Sequence, residues 1–329
     1  MRAFANATPK NLTDAVEQVK QAKQGQKSVA IAGGGSDLLG MVKDHLVSPD
    51  VIVHLAAIKG NDTVTELAGV VKIGGNITLD ALSRHPLIRE KYTALADAAG
   101  VVGTPQIRNA GTLAGNVCQR PWCWYFRNGF PCFKAGGNQC FSAAGENQLH
   151  AIFGGGPSFI VHPSDTAPAL VALDAKFHIT GPAGERTVAA ADFFTLPKVN
   201  AAKENSLAEG EILAWVEIPT AKPGTRSMYH KELDREAWTH AIVSTAVVLE
   251  LDGATCRSAR IVMGGVAPIP WRVPEAEKLL VGQRVTPELA VKIGETALIG
   301  ATPLAKNRYK VPLAKEIVRR TVAAVAAKA

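Results

Sequence analysis

Two kinds of residue stand at spacings that suggest chemistry: cysteines gathered on one short stretch, and glycines gathered on two. Four of the five cysteines, Cys118, Cys123, Cys132 and Cys140, fall within 23 residues in the pattern Cys-x4-Cys-x8-Cys-x7-Cys. Soft thiolates on an irregular segment are what zinc and iron-sulfur clusters select. No Cys-x2-Cys pair is present, so zinc-ribbon spacing fails. The competing reading is a set of inert buried thiols, an unusual way to fill a core in so short a stretch. An odd total of five cysteines, four of them tightly grouped, argues against a secreted disulfide framework and for a metal site or a reducing compartment. Trp122, Trp124, Tyr125, Phe126, Phe130 and Phe133 are interleaved with them. These aromatics either shield a cluster from water or simply pack an inserted loop.

The first glycine cluster runs through Ala32, Gly33, Gly34, Gly35, Ser36, Asp37 and Leu38. It offers what a phosphate cradle needs: a strand end, residues without Cβ so that backbone N–H groups approach closely, and a following helix. A glycine-rich turn is the alternative. Leu38 stands where the dinucleotide fingerprint wants its third glycine, and no Lys-Ser/Thr ending follows, so neither a Rossmann loop nor a P-loop is present. The second cluster, about 70 residues later, spans Gly103 to Asn116. It interleaves Gly103, Gly111 and Gly115 with Thr104, Gln106, Asn109, Thr112, Ala114 and Asn116. Two such loops in one domain point to a dinucleotide pyrophosphate held from two sides, with a structural turn again the alternative. His54, His85, His162 and His240 lack any paired metal spacing, and no Gly-x-Ser-x-Gly elbow occurs; capping or core hydrogen bonding accounts for them.

The elements that must position these residues follow from periodicity. Leu12, Ala15, Val16 and Val19 share one helical face over 12–23, with Gly25 as a stop. Ser28–Ala32 and Val51–Leu55 read as strands flanking a helix over Asp37–Val42, a βαβ-like opening unit. VVKIG reads as a strand, Thr78 as the N-cap of the next helix, and YTALADAAG as a further helix. From Cys118 to about Gly156 periodicity is lost, and a stretch of that length usually has a functional reason. EILAWVEIP reads as a strand and TAKPGTRS (220–227) as a linker. Beyond it, two antiparallel strands, AIVSTAVVLELDG and ARIVMGGV, precede helical PEAEKLL, TPELAVKIGETAL and LAKEIVRRTVAAVAAK.

A chain of 329 residues, 47% apolar and 20% charged, suits two compact domains. The net charge of +7 is spread along the sequence without a basic patch, which excludes nucleic acid as a partner and suits a phosphate-bearing cofactor. The N-terminus lacks the apolar core of a signal peptide, and no run of about 18 apolar residues occurs, so no direct membrane insertion is expected.

AGGGSDLLG followed by QIRNAGTLAGN and HPSD resembles the flavin-binding subunits of the xanthine dehydrogenase, or molybdenum hydroxylase, family. GEILAWVEIP, YHKELDREAWTHAIVS, GGVAPIPWR and AKNRYKVPLAKEIVRR carry the resemblance over nearly the whole chain. It implies an α+β fold: a two-subdomain FAD-binding domain of the vanillyl-alcohol oxidase type over 1–221, then a smaller α+β C-terminal domain over 222–329, an antiparallel sheet with helices. By position, Ala32 to Asp37 and Thr112 to Asn116 would wrap the FAD pyrophosphate. Asp165 would contact the ribityl or ribose part, Ile212 or Leu213 would approach the isoalloxazine ring, and Lys231 would sit near the flavin to stabilise negative charge. On the residues alone, Lys231 is a strand-edge lysine and Asp165 a helix N-cap.

The insertion over about 117–157 resembles the extra loop of the branch that includes aldehyde oxidoreductases and 4-hydroxybenzoyl-CoA reductase, which binds a 4Fe-4S cluster. Cys123, Cys132 and Cys140 match three of that branch's ligands, and the fourth falls near Ser158. Cys118 is the first substitute, His150 another, and a three-cysteine site is the remaining possibility. The resemblance further implies a large subunit carrying the molybdenum cofactor and a small subunit carrying 2Fe-2S clusters, with this chain relaying electrons to a terminal acceptor. Oxidation of an aldehyde or related substrate in a heterotrimer, or a dimer of heterotrimers, follows from that. The compartment is cytoplasmic, or periplasmic by export on a partner's signal. Two alternatives stand beside this reading: a stand-alone FAD oxidase, for which the C-terminal part leaves little room for a capping domain, and a non-catalytic iron-sulfur scaffold.

Overall fold

Three parallel strands open the chain in the computed structural model, which describes residues 2–327. They are β1 (Ala5–Ala7), β2 (Val29–Ala32) and β3 (Val51–His54), in the order β1-β3-β2. The helix Leu12–Gln24 buries Ala15, Val16 and Val19 against them; Asn11 caps it by accepting the Asp14 N–H at 2.8 Å, and Gly25 closes it. The expected βαβ unit is present. The added strand β1 has only three residues, too few to display a period of two.

A five-stranded antiparallel sheet follows, in the order β4-β5-β8-β6-β7. Its strands are β4 (Val64–Leu67), β5 (Val70–Gly74), β6 (Lys176–Gly181), β7 (Gly184–Ala189) and β8 (Ile212–Pro219). The two expected strands, VVKIG and EILAWVEIP, pair directly, with Val71 opposite Ile218. Helices Leu79–Arg84, Thr93–Gly100 and Thr166–Ala172 cover this sheet with Leu79, Leu82, Leu95 and Leu170. Thr78 caps the first of them through the Ala81 N–H, as its sequence position suggests.

The last sheet is β12-β11-β10-β9, built from β9 (Thr225–Glu232), β10 (Val243–Asp252), β11 (Thr255–Gly264) and β12 (Trp271–Arg272). Strand β10 is buried on both faces, which suits the apolar run over 246–249 at its centre. Val247, Leu249 and Leu251 meet the helices Pro287–Ala297 and Lys310–Ala327, while Ala246 and Val248 enter the core of the five-stranded sheet. The two halves of the chain therefore share one apolar core across the connection near residue 222. That connection is shorter than the sequence suggests, because β9 already begins at Thr225.

The cysteine-bearing segment is irregular apart from short helical turns at Trp124–Arg127, Phe133–Ala135 and Phe141–Ala143. Among the described residues, no helix is long and apolar enough to cross a membrane.

Candidate functional site

A cavity of about 1000 Å³ opens where the two glycine loops, the cysteine-bearing segment and the β9–β10 connection meet, at the upper end of ordinary small-molecule sites. The loops touch backbone to backbone. A Cβ on Gly34 would overlap the Ala110 carbonyl, and one on Gly33 would overlap the Thr112 hydroxyl. Only residues without side chains allow this approach. Ala32, Gly33, Gly34, Gly35, Ser36, Asp37 and Leu38 all border the cavity, as do Gly103, Gly111, Thr112, Gly115 and Asn116 from the second loop. Among the described residues, no acceptor within the chain takes the N–H groups of Gly33, Gly34, Gly35, Ser36 or Asp37. A row of unpaired N–H groups facing a cavity fits the diphosphate of a dinucleotide.

Several expected contacts are redistributed. Thr104, Gln106, Asn109 and Ala114 do not border the cavity. Thr104 instead caps the helix Pro105–Ala110, Gln106 and Asn109 face solvent, and Ala114 packs in the core. The Asp37 carboxylate is already engaged: it pairs with Arg127 at 2.7 Å and accepts the Arg120 N–H at 3.0 Å, tying the cysteine segment to the first loop. The Asn116 side-chain oxygen accepts from Ser164 at 2.6 Å and Thr166 at 2.7 Å, which fixes the second loop to the HPSD segment. Ile212 and Leu213, expected to approach the isoalloxazine ring, lie in β8. Both are buried, their side chains sit in two different apolar clusters, and neither borders the cavity.

Asp165 borders the cavity at the head of the helix Thr166–Ala172 but does not cap it with its side chain. Its carboxylate accepts from the Tyr229 hydroxyl and from Lys231 Nζ, each at 2.7 Å. Burial pushes this carboxyl up, and the adjacent Lys231 ammonium opposes the rise. Lys231 stands behind Asp165, outside the cavity, and also donates to the carbonyls of Val101 and Thr239. Asp165 thus stands between Lys231 and the cavity.

The four cysteines do not stay together. Cys123 and Cys132 pack around Met41, Phe126 and Phe141, whereas Cys118 packs against the core of the five-stranded sheet, where burial pushes its thiol up to about 12. Burial raises Cys123 to about 11, backbone N–H groups of Phe126 and Tyr125 oppose this, and the charges of Cys132 and Cys140 add to it. Cys140 lies 3.5 Å from the Phe159 N–H and 3.1 Å from the Ser142 hydroxyl. His150 Nε2 lies 3.3 Å from Cys123 Sγ, and burial lowers this imidazole to about 4. Cys118 thus packs in a different apolar cluster from Cys123 and Cys132, although it borders the same cavity as Cys123. Among the described residues, no three His, Cys, Asp or Glu side chains converge tightly enough to hold a single metal ion. Cys123, Cys132 and Cys140 come from one loop, and Cys123 and Cys140 lie beside hydrogen-bond donors, the surroundings that thiolates of an iron-sulfur cluster take.

Sequence reasoning missed part of the cavity rim. Trp122 lies against His240, ring centroids 5.3 Å apart, with the Arg127 guanidinium 4.2 Å from the centre of its ring. Trp238 reaches the rim through a left-handed backbone (φ 59) and donates its N–H to the Gly103 carbonyl at 3.3 Å. The Trp122–His240 and Trp238–Gly103 contacts join residues more than 100 positions apart, beyond the reach of any local pattern.

Residues 2–221 match the family described as FAD binding domain in molybdopterin dehydrogenase, and residues 228–325 match the CO dehydrogenase flavoprotein C-terminal domain. The aldehyde oxidoreductase FAD-binding subunit PaoB of Escherichia coli (strain K12) is 33% identical over 300 residues, covering 90% of each chain. The carbon monoxide dehydrogenase medium chain of Hydrogenophaga pseudoflava is 26% identical over 324 residues, covering 97% of this chain and 96% of that one. Among solved structures, reconstituted CO dehydrogenase from Oligotropha carboxidovorans superposes with a TM-score of 0.78 at 25% identity, covering 100% of this chain and 99% of the other. Quinoline 2-oxidoreductase from Pseudomonas putida 86 gives 0.76 at 23% identity, covering 99% and 97%, a likeness of fold. The expected α+β architecture, with its C-terminal antiparallel sheet, is the one these structures share.

Proposed function

Because the chain belongs to the FAD-binding subunits of the molybdenum hydroxylases, we propose that it relays electrons within an oxidoreductase complex and does not itself act on the organic substrate. The observation that carries this reading is the row of unpaired N–H groups between two glycine loops in backbone contact. Gly33 to Asp37 and Thr112 to Asn116 grip the diphosphate, with Asp165 alongside, held by Tyr229 and Lys231. When bound, FAD supplies the exchange between one-electron and two-electron transfer. The division into an FAD-binding domain over 1–221 and a C-terminal domain over 222–329 belongs to the same reading.

Cys123, Cys132 and Cys140 hold a 4Fe-4S cluster in this reading, with the aromatic rings of Tyr125, Phe126 and Phe141 excluding water from it. The partners are a large subunit with the molybdenum cofactor and a small subunit with 2Fe-2S clusters, forming a heterotrimer. The 33% identity to a subunit named for aldehyde oxidation favours an aldehyde or related substrate for the assembled enzyme. Anaerobic addition of an aldehyde to the copurified complex is expected to bleach the flavin bands, while the isolated chain stays oxidised. Bleaching of the isolated chain by aldehyde would instead establish a stand-alone oxidase.

A further inference from the structure

The thiol group carries one contact that its ligand role does not require. His150 is 7% exposed, its Nε2 lies 3.3 Å from Cys123 Sγ, and its Nδ1 is buried with no partner among the described residues. A metal-bound sulfur has no proton to give, so the proton between these atoms resides on Nε2. The other tautomer would bury an N–H without an acceptor, the costlier of the two orphans. A nitrogen that carries a proton has no lone pair for iron, so this geometry makes His150 a donor to a ligand and not a ligand itself.

The ring is also held from outside. Asn307 donates to the His150 carbonyl at 3.0 Å, Lys310 to that of Leu149 at 2.8 Å and Tyr309 to that of Gln148 at 3.0 Å. The Lys306 N–H reaches the Asn147 side chain at 2.9 Å. One short segment of the C-terminal half thus grips the backbone on which the imidazole is mounted.

We propose that His150 is a positioning residue of the redox centre, donating an N–H···S hydrogen bond to the Cys123 thiolate and raising the potential of the cluster that this thiolate binds. The proposal rests on the reading that Cys123, Cys132 and Cys140 hold an iron-sulfur cluster. Added negative charge on a reduced cluster spreads onto its sulfurs, and a donor aimed at one of them stabilises the reduced form. Asn307 and its neighbours keep that donor in place, which couples the C-terminal half to the redox centre.

The test uses the assembled complex, with iron analysis, potentiometric titration followed by low-temperature electron paramagnetic resonance, and pulsed resonance for nitrogen coupling. His150→Ala is expected to retain iron and the wild-type unfolding midpoint, shift the cluster potential to a more negative value and leave the flavin potential unchanged. His150→Gln, which keeps an N–H donor, is expected to recover part of that shift, and Asn307→Ala to produce a smaller shift of the same sign. An unchanged cluster potential in His150→Ala overturns the proposal. So does a strong nitrogen coupling in the wild type that disappears in the variant, since His150 would then be a direct ligand. Wild-type protein without iron would overturn the cluster reading itself, and the proposal with it; iron analysis separates that outcome from the others.

Discussion

Asp165 and Lys231 are both almost wholly buried, at 4% and 1% side-chain exposure, and lie 2.7 Å apart. Taking one charge from such a pair leaves the other stranded, at a cost of about 3–5 kcal/mol. Asp165→Asn and Lys231→Met are each expected to lower the unfolding free energy by an amount of that order. The double variant should lose less than the sum, because the partners share one interaction; additive losses in urea unfolding would show the pair to be uncoupled. None of this was legible in the sequence, where the two residues stand 66 positions apart and each has an ordinary local role. The glycine loops were legible because absence of a side chain is itself the signal for close backbone approach. Which way a thiol faces is not encoded in spacing, so the packing of Cys118 against the core of the five-stranded sheet was not legible.

At the scale of elements, the helix Lys310–Ala327 begins with a lysine that has no carboxylate partner among the described residues. Lys310 is fully buried, and its Nζ donates to the carbonyls of Leu149 and Gly265, both at 2.8 Å. Burial lowers its pKa from 10.5 to about 7. Between those values the unfolded chain binds one proton more than the native one, so this group makes stability rise with pH, by about 1.4 kcal/mol per unit. Below about 7 both states are charged and the contribution is flat. Urea midpoints measured from pH 7 to 9 should therefore climb more steeply for the wild type than for Lys310→Met, and parallel curves would refute the assignment. The helix itself was readable from its 3.6-residue period, as were those over Leu12–Gln24 and Pro287–Ala297. Strands β1 and β12, of three and two residues, were not, since their pairing is decided by neighbours distant in sequence.

For the whole molecule, the α+β fold entered through the family resemblance, while the residues alone offered a break near residue 222, where strand and helix patterns pause at TAKPGTRS. What escaped was the fusion of the two parts: β10 contributes to the cores of both halves, and the cavity rim draws on residues from Ile31 to Ile242. A site assembled from both halves explains why the connection near residue 222 separates sequence patterns without separating structure. The measurement that bears most directly on the central claim is the flavin content of the purified chain, released by heat and compared with protein concentration. One FAD per chain is expected in the wild type and none in Gly34→Val, whose side chain would force the two loops apart, provided circular dichroism shows the variant folded. A wild type that releases no flavin, or a folded Gly34→Val that keeps full occupancy, would contradict the account.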